Sequence, residues 1–115
     1  RYMDSIERLW EVIGHLNVGL CLDTCHTWAG GIPTIDAVKG FKKLVKKIDL
    51  IHFNDSKDGF ESSRDRHENL GKGKIPKEEL EYVIKNAKTD IIVETPNGPD
   101  AQKKDIAWIK RRLKK

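Results

Sequence analysis

The chain has 115 residues, of which 37% are hydrophobic and 35% are charged, and it carries a formal net charge of +4. This balance is typical of a soluble globular chain and excludes an intrinsically disordered one. No apolar run approaches the ~20 residues that a membrane-spanning helix needs. Because the N-terminus also lacks a signal-peptide pattern, we expect a cytoplasmic protein with no membrane partner.

The positive charge is concentrated in lysine pairs at 42–43 and 46–47 and in the tail at 110–115. Such clusters are compatible with a polyanionic partner such as DNA or RNA, although a solvated lysine-rich helix face has the same composition. Cys21 and Cys25 lie too close together in the chain to close a useful loop. We therefore expect reduced thiols rather than a disulfide framework.

Hydrophobic periodicity predicts four helices. The first is predicted over residues 4–15 and the second over 34–46, a third begins near Pro76, and the last runs from about 100 to 113. Three compact apolar runs between them are too short for helices and predict strands. The predicted strands are Val18–Leu22, Ile48–Phe53 and Ile91–Val93.

Short strands that alternate with helices of ten or more residues predict a parallel sheet with right-handed crossovers. Both faces of the strands are apolar, so both must be covered. The helices cover the outer face, whereas the inner face needs more strands than this chain has, because a closed barrel takes eight. The predicted class is therefore α/β, with residues 1–115 forming the C-terminal part, about three βα units, of one TIM (β/α)8-barrel domain.

Strand alternation predicts which apolar side chains lie on each face of this sheet. The outer, helix-covered face should carry Leu20, Leu22, Ile51, Phe53, Ile91 and Val93. The inner face should carry Cys21, Ile48, Leu50 and Ile92.

Each predicted strand ends in a residue that can bind a metal or transfer a proton: Asp23, His52 and Glu94. In parallel α/β folds the chemistry lies at the carboxyl ends of the strands. The long loop after the second strand adds two more residues of this kind, Asp65 and His67, in the pattern Asp-x-His. Oxygen and nitrogen ligands gathered in this way are typical of a metal site.

Four segments, in this order, resemble the endonuclease IV family of apurinic/apyrimidinic DNA-repair nucleases. They are Val18–His26, His52–Lys57, Arg64–Gly73 and Val93–Pro96. The resemblance implies a TIM-barrel enzyme with up to three Zn²⁺ ions that hydrolyses double-stranded DNA on the 5′ side of an abasic site. Neighbouring zinc ions can activate water and stabilise the leaving oxygen in such a reaction.

The resemblance also implies roles for individual residues. Asp23, His52 and Glu94 are expected to bind one metal and to form the catalytic group. His26, Asp65 and His67 are expected to form the complete protein shell of a second metal. The basic residues expected to contact DNA phosphates, by their position in the motifs, are Lys57, Arg64, Arg66 and Lys72.

The family's remaining ligands, two histidines and a bridging glutamate, come from strands upstream of the matching segments. No residue in the first 17 positions replaces them. Two alternatives therefore stay open: a metal-dependent sugar isomerase or epimerase on a related barrel, and a non-catalytic zinc-binding half-barrel. The uncovered inner face and two open sheet edges also predict self-association.

Overall fold

The computed structural model describes residues 2–14, 19–45 and 48–113. Within these ranges the helices are α1 (Tyr2–Ile13), α2 (Thr24–Ala29), α3 (Thr34–Leu44), α4 (Lys77–Ala87) and α5 (Gly98–Leu113). The strands are β1 (Cys21–Asp23), β2 (Leu50–His52), β3 (Asp55–Ser56), β4 (His67–Glu68) and β5 (Asp90–Ile92). None of these helices combines the length and the apolar character needed to cross a bilayer.

The predicted parallel sheet is confirmed, with the strand order β1-β2-β5. In the register of this sheet, Asp23 lies opposite His52, and His52 lies opposite Ile92. Because parallel strands run in the same direction, all three carboxyl ends reach the same edge of the sheet. This register brings the two predicted ligands Asp23 and His52 side by side.

One face of the sheet is packed against helices, and the other is open. Leu22, Ile51 and Phe53 are fully buried among side chains of α3 and α4, including Phe41 and Leu80. On the opposite face Cys21 is exposed and Ile92 is 46% exposed. The predicted alternation of covered and open faces is confirmed for these residues.

Ile48 departs from the predicted alternation. It was expected on the open face, but it is fully buried in the core. The strand β2 begins only at Leu50. Ile48 therefore lies before the regular strand, where the alternation of side chains no longer applies.

The segment after β1 is a short helix, α2, that is not among the four predicted helices. Asp23 caps α2, because its side chain accepts a hydrogen bond from the backbone N–H of His26. The helix has only six residues. A helix of this length shows too little periodicity to be detected from the sequence.

The long loop contains two short strands that were not predicted, β3 and β4, which pair antiparallel. Each has two residues, too few for a recognisable pattern. The boundaries of the predicted elements differ from the structure by small amounts. The third strand of the main sheet ends at Ile92, so Glu94 follows it by two residues. The predicted start of the first strand at Val18 and the predicted ends of two helices, at residues 15 and 46, lie outside the described residues.

A buried carboxylate organises the long loop. Asp55 is fully buried and accepts hydrogen bonds from the backbone N–H groups of Ser56, Gly71, Gly73 and Ile75, at 2.8–3.1 Å. A Cβ atom at Gly73 would lie only 2.3 Å from the carbonyl oxygen of Ser56. Only glycine fits there, and the two ends of the loop are therefore held together around one side chain.

Asp55→Asn is expected to lower the free energy of unfolding by about 2–4 kcal/mol, because the new NH₂ group would face N–H donors that have lost their acceptor. Chemical denaturation followed by circular dichroism measures the change. Asp36→Asn, in the exposed first turn of α3, is the matched control and should cost no more than about 1 kcal/mol. Equal losses in the two variants would contradict this role of Asp55.

Candidate metal centre

The three residues predicted at the strand ends lie together. The Nδ1 atom of His52 is 2.5 Å from Oε1 of Glu94. One potential ligand atom from each of Asp23, His52 and Glu94 lies within 4.8 Å of the other two. The side chains are only partly buried, with 29% of His52 and 44% of Glu94 exposed, so the group is accessible from solvent.

The second predicted set lies beside the first. The Nδ1 atom of His26 is 3.0 Å from Oδ2 of Asp65, and Nε2 of His67 is 3.7 Å from Oδ1 of the same carboxylate. His67 also links the two sets, because its Nε2 atom is 3.6 Å from Oδ2 of Asp23. All six predicted ligands therefore form one continuous cluster of carboxylates and imidazoles.

The orientation of His67 follows from its other ring nitrogen. Its Nδ1 atom lies 2.9 Å from the backbone carbonyl oxygen of Glu94. A carbonyl can only accept, so Nδ1 carries a proton, and Nε2 is the ring nitrogen that faces the carboxylates. Metal-binding histidines are commonly held in this way.

The carboxylates influence one another. Burial raises the pKa of Asp23, and the nearby charges of Asp65 and Glu94 raise it further, against the opposing effects of the His26 N–H group and His67. Burial also disfavours the ionised form of Asp65, but hydrogen bonds and the charges of the neighbouring histidines outweigh it and lower the pKa. A cluster of like charges in a partly buried place is one that a cation would stabilise.

Cys25 is a member of this region that the sequence did not reveal. Its Sγ atom lies within 4.8 Å of ligand atoms of Asp65 and His67. The side chain is fully buried, and burial raises the pKa of the thiol to about 12. The thiol donates a hydrogen bond to the carbonyl oxygen of Arg66, so it supports the loop as a neutral group. In the sequence, only the position of Cys25 directly before His26 indicates that it lies near the candidate ligands.

The loop that carries the second set is fixed to α2. The indole N–H of Trp28 donates to the carbonyl oxygen of Asp58 at 3.0 Å, and the backbone N–H of Glu61 donates to the carbonyl oxygen of Trp28. The rings of Trp28 and Phe60 also meet edge to face, with centroids 5.0 Å apart. Because α2 carries His26, this attachment fixes the loop relative to one of the predicted ligands.

The four predicted DNA-contacting residues are not equivalent. Arg66 forms a two-pronged ion pair with Asp58, from Nε to Oδ2 at 2.8 Å and from Nη2 to Oδ1 at 2.6 Å. The guanidinium also lowers the pKa of the Asp58 carboxyl. Lys57, Arg64 and Lys72 are exposed, and none of them forms a salt bridge with another described residue.

Comparison with known proteins places this arrangement in a family. The sequence matches the family model described as a xylose isomerase-like TIM barrel over residues 1–112, and the chain belongs to this family. The three parallel strands are accordingly part of a barrel.

Within the family, the resemblance to endonuclease IV is confirmed. The chain is 47% identical over 112 residues to the probable endonuclease 4 of Mycobacterium tuberculosis and 46% identical over 112 residues to that of Mycobacterium leprae. Both matches cover 97% of this chain, which spans only 44% of the length of each relative.

Solved structures agree with this assignment. Endonuclease IV from Thermus thermophilus superimposes with a TM-score of 0.79 at 28% identity, covering 94% of this chain and 43% of that one. The structure of AsfvAP:AG has a TM-score of 0.75 at 21% identity, covering 96% of this chain and 47% of that one, and supports the fold alone.

The two thiols provide a test of the described geometry. Iodoacetamide is expected to modify Cys21 in a dilute solution of the folded protein, because Cys21 is exposed, and to modify Cys25 only after unfolding, because Cys25 is fully buried. Mass spectrometry of timed samples measures both reactions. Cys21→Ser should abolish the fast reaction. Modification of Cys25 at the rate of Cys21 would contradict the arrangement around α2.

Proposed function

We propose that this chain carries zinc ligands and DNA contacts of an endonuclease that hydrolyses the DNA backbone on the 5′ side of abasic sites. The observation that carries the proposal is the continuous cluster of three carboxylates and three imidazoles, joined by the contact between His67 and Asp23. The identity of 47% to probable endonuclease 4 of Mycobacterium tuberculosis supports the same activity.

The donor set suits zinc. Imidazole nitrogens and carboxylate oxygens are among the usual ligands of Zn²⁺, and softer metals would favour thiolates. The thiol of Cys25, which lies beside the second set, is held as a neutral donor by burial, which raises its pKa to about 12. When bound, zinc supplies a Lewis acid that lowers the pKa of water and neutralises charge on the scissile phosphate.

The ligands divide into two sets. We assign Asp23, His52 and Glu94 to one metal and to the catalytic group, because they converge from three strand ends. We assign the second metal to His26, Asp65 and His67. In the second set, the bond from Nδ1 of His67 to the carbonyl oxygen of Glu94 holds Nε2 towards the other donors.

DNA binding would depend on the exposed cations of the long loop. Lys57, Arg64 and Lys72 are free to approach the phosphate backbone, which supplies most of the non-specific affinity of DNA-binding proteins. Arg66 contributes less in this proposal, because its guanidinium is already bound to Asp58. The ion pair between Arg66 and Asp58 instead stiffens the loop.

The chain does not contain every ligand that the resemblance to endonuclease IV implies. The two further histidines and the bridging glutamate have no counterpart among its residues. A bridging carboxylate holds two metals at the ~3.5–4 Å separation of two-metal catalysis. We therefore expect the chain on its own to be a poor catalyst.

Zinc is expected to bind to the isolated chain at about one ion or more per molecule, because all three ligands of the second set lie within it. Metal analysis after gentle purification measures the content. His67→Ala should lower it, since His67 contacts both sets, whereas Glu78→Gln on the surface of α4 should not. Zinc at background level in the unaltered chain would contradict the assignment.

A chimera tests the proposed activity. Replacing the matching 43% of Thermus thermophilus endonuclease IV by this chain should give a protein that incises abasic duplex DNA in a zinc-dependent way. Glu94→Gln in the chimera should reduce incision by at least about 100-fold, because the carboxylate is lost from the first ligand set. The isolated chain should be slower than the chimera by a similar factor.

The controls separate the alternatives. Glu78→Gln in the chimera should leave the rate unchanged. A folded, zinc-loaded chimera without incision would overturn the proposal. Conversion of an aldose to a ketose by the chimera, with Mn²⁺ or Mg²⁺, would favour the sugar isomerase that the family description includes.

Self-association is expected on the open side of the sheet. The outer edges of β1 and β5 pair with no other described strand. Beside β5, a cavity of about 630 Å³ is lined by this strand and by α5, with Ile92, Ile106 and Leu113 each at least 44% exposed. Unpaired strand edges and exposed apolar side chains both favour association with a second copy.

Sedimentation at low micromolar concentration should therefore reveal species larger than the 13.2 kDa chain. Ile106→Glu should shift the distribution towards the monomer, whereas Lys103→Glu on the same helix should not. Alkylation of Cys21 should slow as the concentration rises, if the open face is the one that becomes covered. A single 13.2 kDa species, cooperatively folded and unchanged by EDTA, would contradict this expectation.

A further inference from the structure

A buried polar network connects the three strand ends. Thr24 and Asn54 are both fully buried. The hydroxyl group of Thr24 donates to the backbone carbonyl of Asn54 at 2.6 Å and accepts from the backbone N–H of the same residue at 2.8 Å. The side-chain oxygen of Asn54 then accepts from the backbone N–H of Glu94 at 2.8 Å.

The contact with Glu94 replaces a bond of the sheet. The ladder between β2 and β5 continues as far as the bond from the N–H of Phe53 to the carbonyl oxygen of Ile92, at 2.7 Å. In a regular parallel ladder the next N–H on the β5 side would donate to a backbone carbonyl of the neighbouring strand. Here the N–H of Glu94 is held by the Asn54 side chain instead. The chain can therefore leave the sheet at Ile92 while Glu94 stays fixed.

The assignment of the Asn54 amide is unambiguous. A backbone N–H can only donate, so the atom that faces Glu94 must be the side-chain oxygen. The NH₂ group is then buried, and it has no hydrogen-bond partner among the described residues. A buried unpaired donor lowers stability. Stability alone therefore does not account for an asparagine at this position, whereas its acceptor oxygen has a defined use.

We propose that Asn54 is a positioning residue for the metal centre, which holds the Glu94 carboxylate beside His52 and Asp23. The inference rests on the proposed function, because it assigns Glu94 to a metal. Each member of the network is close in sequence to a candidate ligand: Thr24 follows Asp23, Asn54 lies two residues after His52, and Glu94 is itself a ligand. Asn54 acts through the backbone of Glu94 and not by contact with the metal.

Asn54→Ala removes the acceptor and gives the first test. Amide hydrogen exchange by NMR on the metal-free chain should show faster exchange at Glu94, by about tenfold or more, with no change at Ile75, whose N–H is held by Asp55. The zinc affinity of the set formed by Asp23, His52 and Glu94 should fall by about 10–100-fold, the range usual for groups that orient metal ligands. It is measured by competition with a chelator in a His26→Ala background, which weakens the other set. The d–d absorption spectrum of bound Co²⁺ should change as well.

Two matched variants separate positioning from general destabilisation. Asn54→Asp keeps an acceptor oxygen for Glu94 and should preserve the protection of its amide. Thr34→Val also alters a buried polar residue whose hydroxyl has no partner among the described residues, but it lies on α3 away from the cluster. It should leave zinc affinity and the exchange of Glu94 unchanged. If Asn54→Ala does not fold, Asn54→Leu has a similar volume, lacks the acceptor and takes its place.

A double-mutant cycle identifies the route of the effect. If Asn54 acts through Glu94, the loss of zinc affinity caused by Asn54→Ala should disappear in a Glu94→Ala background. An equal loss in both backgrounds would overturn the proposal, as would unchanged zinc affinity in folded Asn54→Ala. If the unaltered chain binds no zinc, the proposed function fails. The exchange of Glu94 in the metal-free variants then decides alone whether Asn54 holds it.

Discussion

The candidate site depends on the register of three parallel strands. Because Asp23, His52 and Ile92 lie in one row across the sheet, the strands end level with one another. Side chains at these ends converge without any special loop conformation. Only Glu94 needs additional support, since its strand stops two residues earlier, and Asn54 supplies the acceptor that holds it.

The same convergence also brings carboxylates close together, and their repulsion favours moving the side chains apart. Three carboxylates lie within one cluster, and burial and, to a smaller extent, the charges of Asp65 and Glu94 raise the pKa of Asp23. The loop is therefore fixed by groups outside the cluster. The backbone bonds to Asp55 join its ends, and the pair between Arg66 and Asp58 stiffens its middle. The ligand side chains are held in place at a cost that a bound cation would reduce.

The sequence predicted the parts of this arrangement that follow from periodicity. Apolar runs that end at Asp23 and His52 identified the strands, and the register of the sheet then brings these two candidate ligands together. It could not predict α2, which has six residues, or the use of Arg66, because its partner Asp58 is chosen by the loop conformation. For the same reason the roles of Cys25 and Asn54 were not visible: both depend on which backbone group a buried side chain meets.

The open face of the sheet lies next to the cluster of candidate metal ligands. Strand alternation places Cys21 on the same face as Asp23, and Leu50 on the same face as His52. Any layer that covers the exposed apolar side chains of this face would therefore end beside the candidate ligands. Metal binding to a folded site adds to the free energy of folding. Covering the open face would consequently increase the affinity for a metal, and metal binding would favour covering the face. Each is therefore expected to be weaker when it occurs alone.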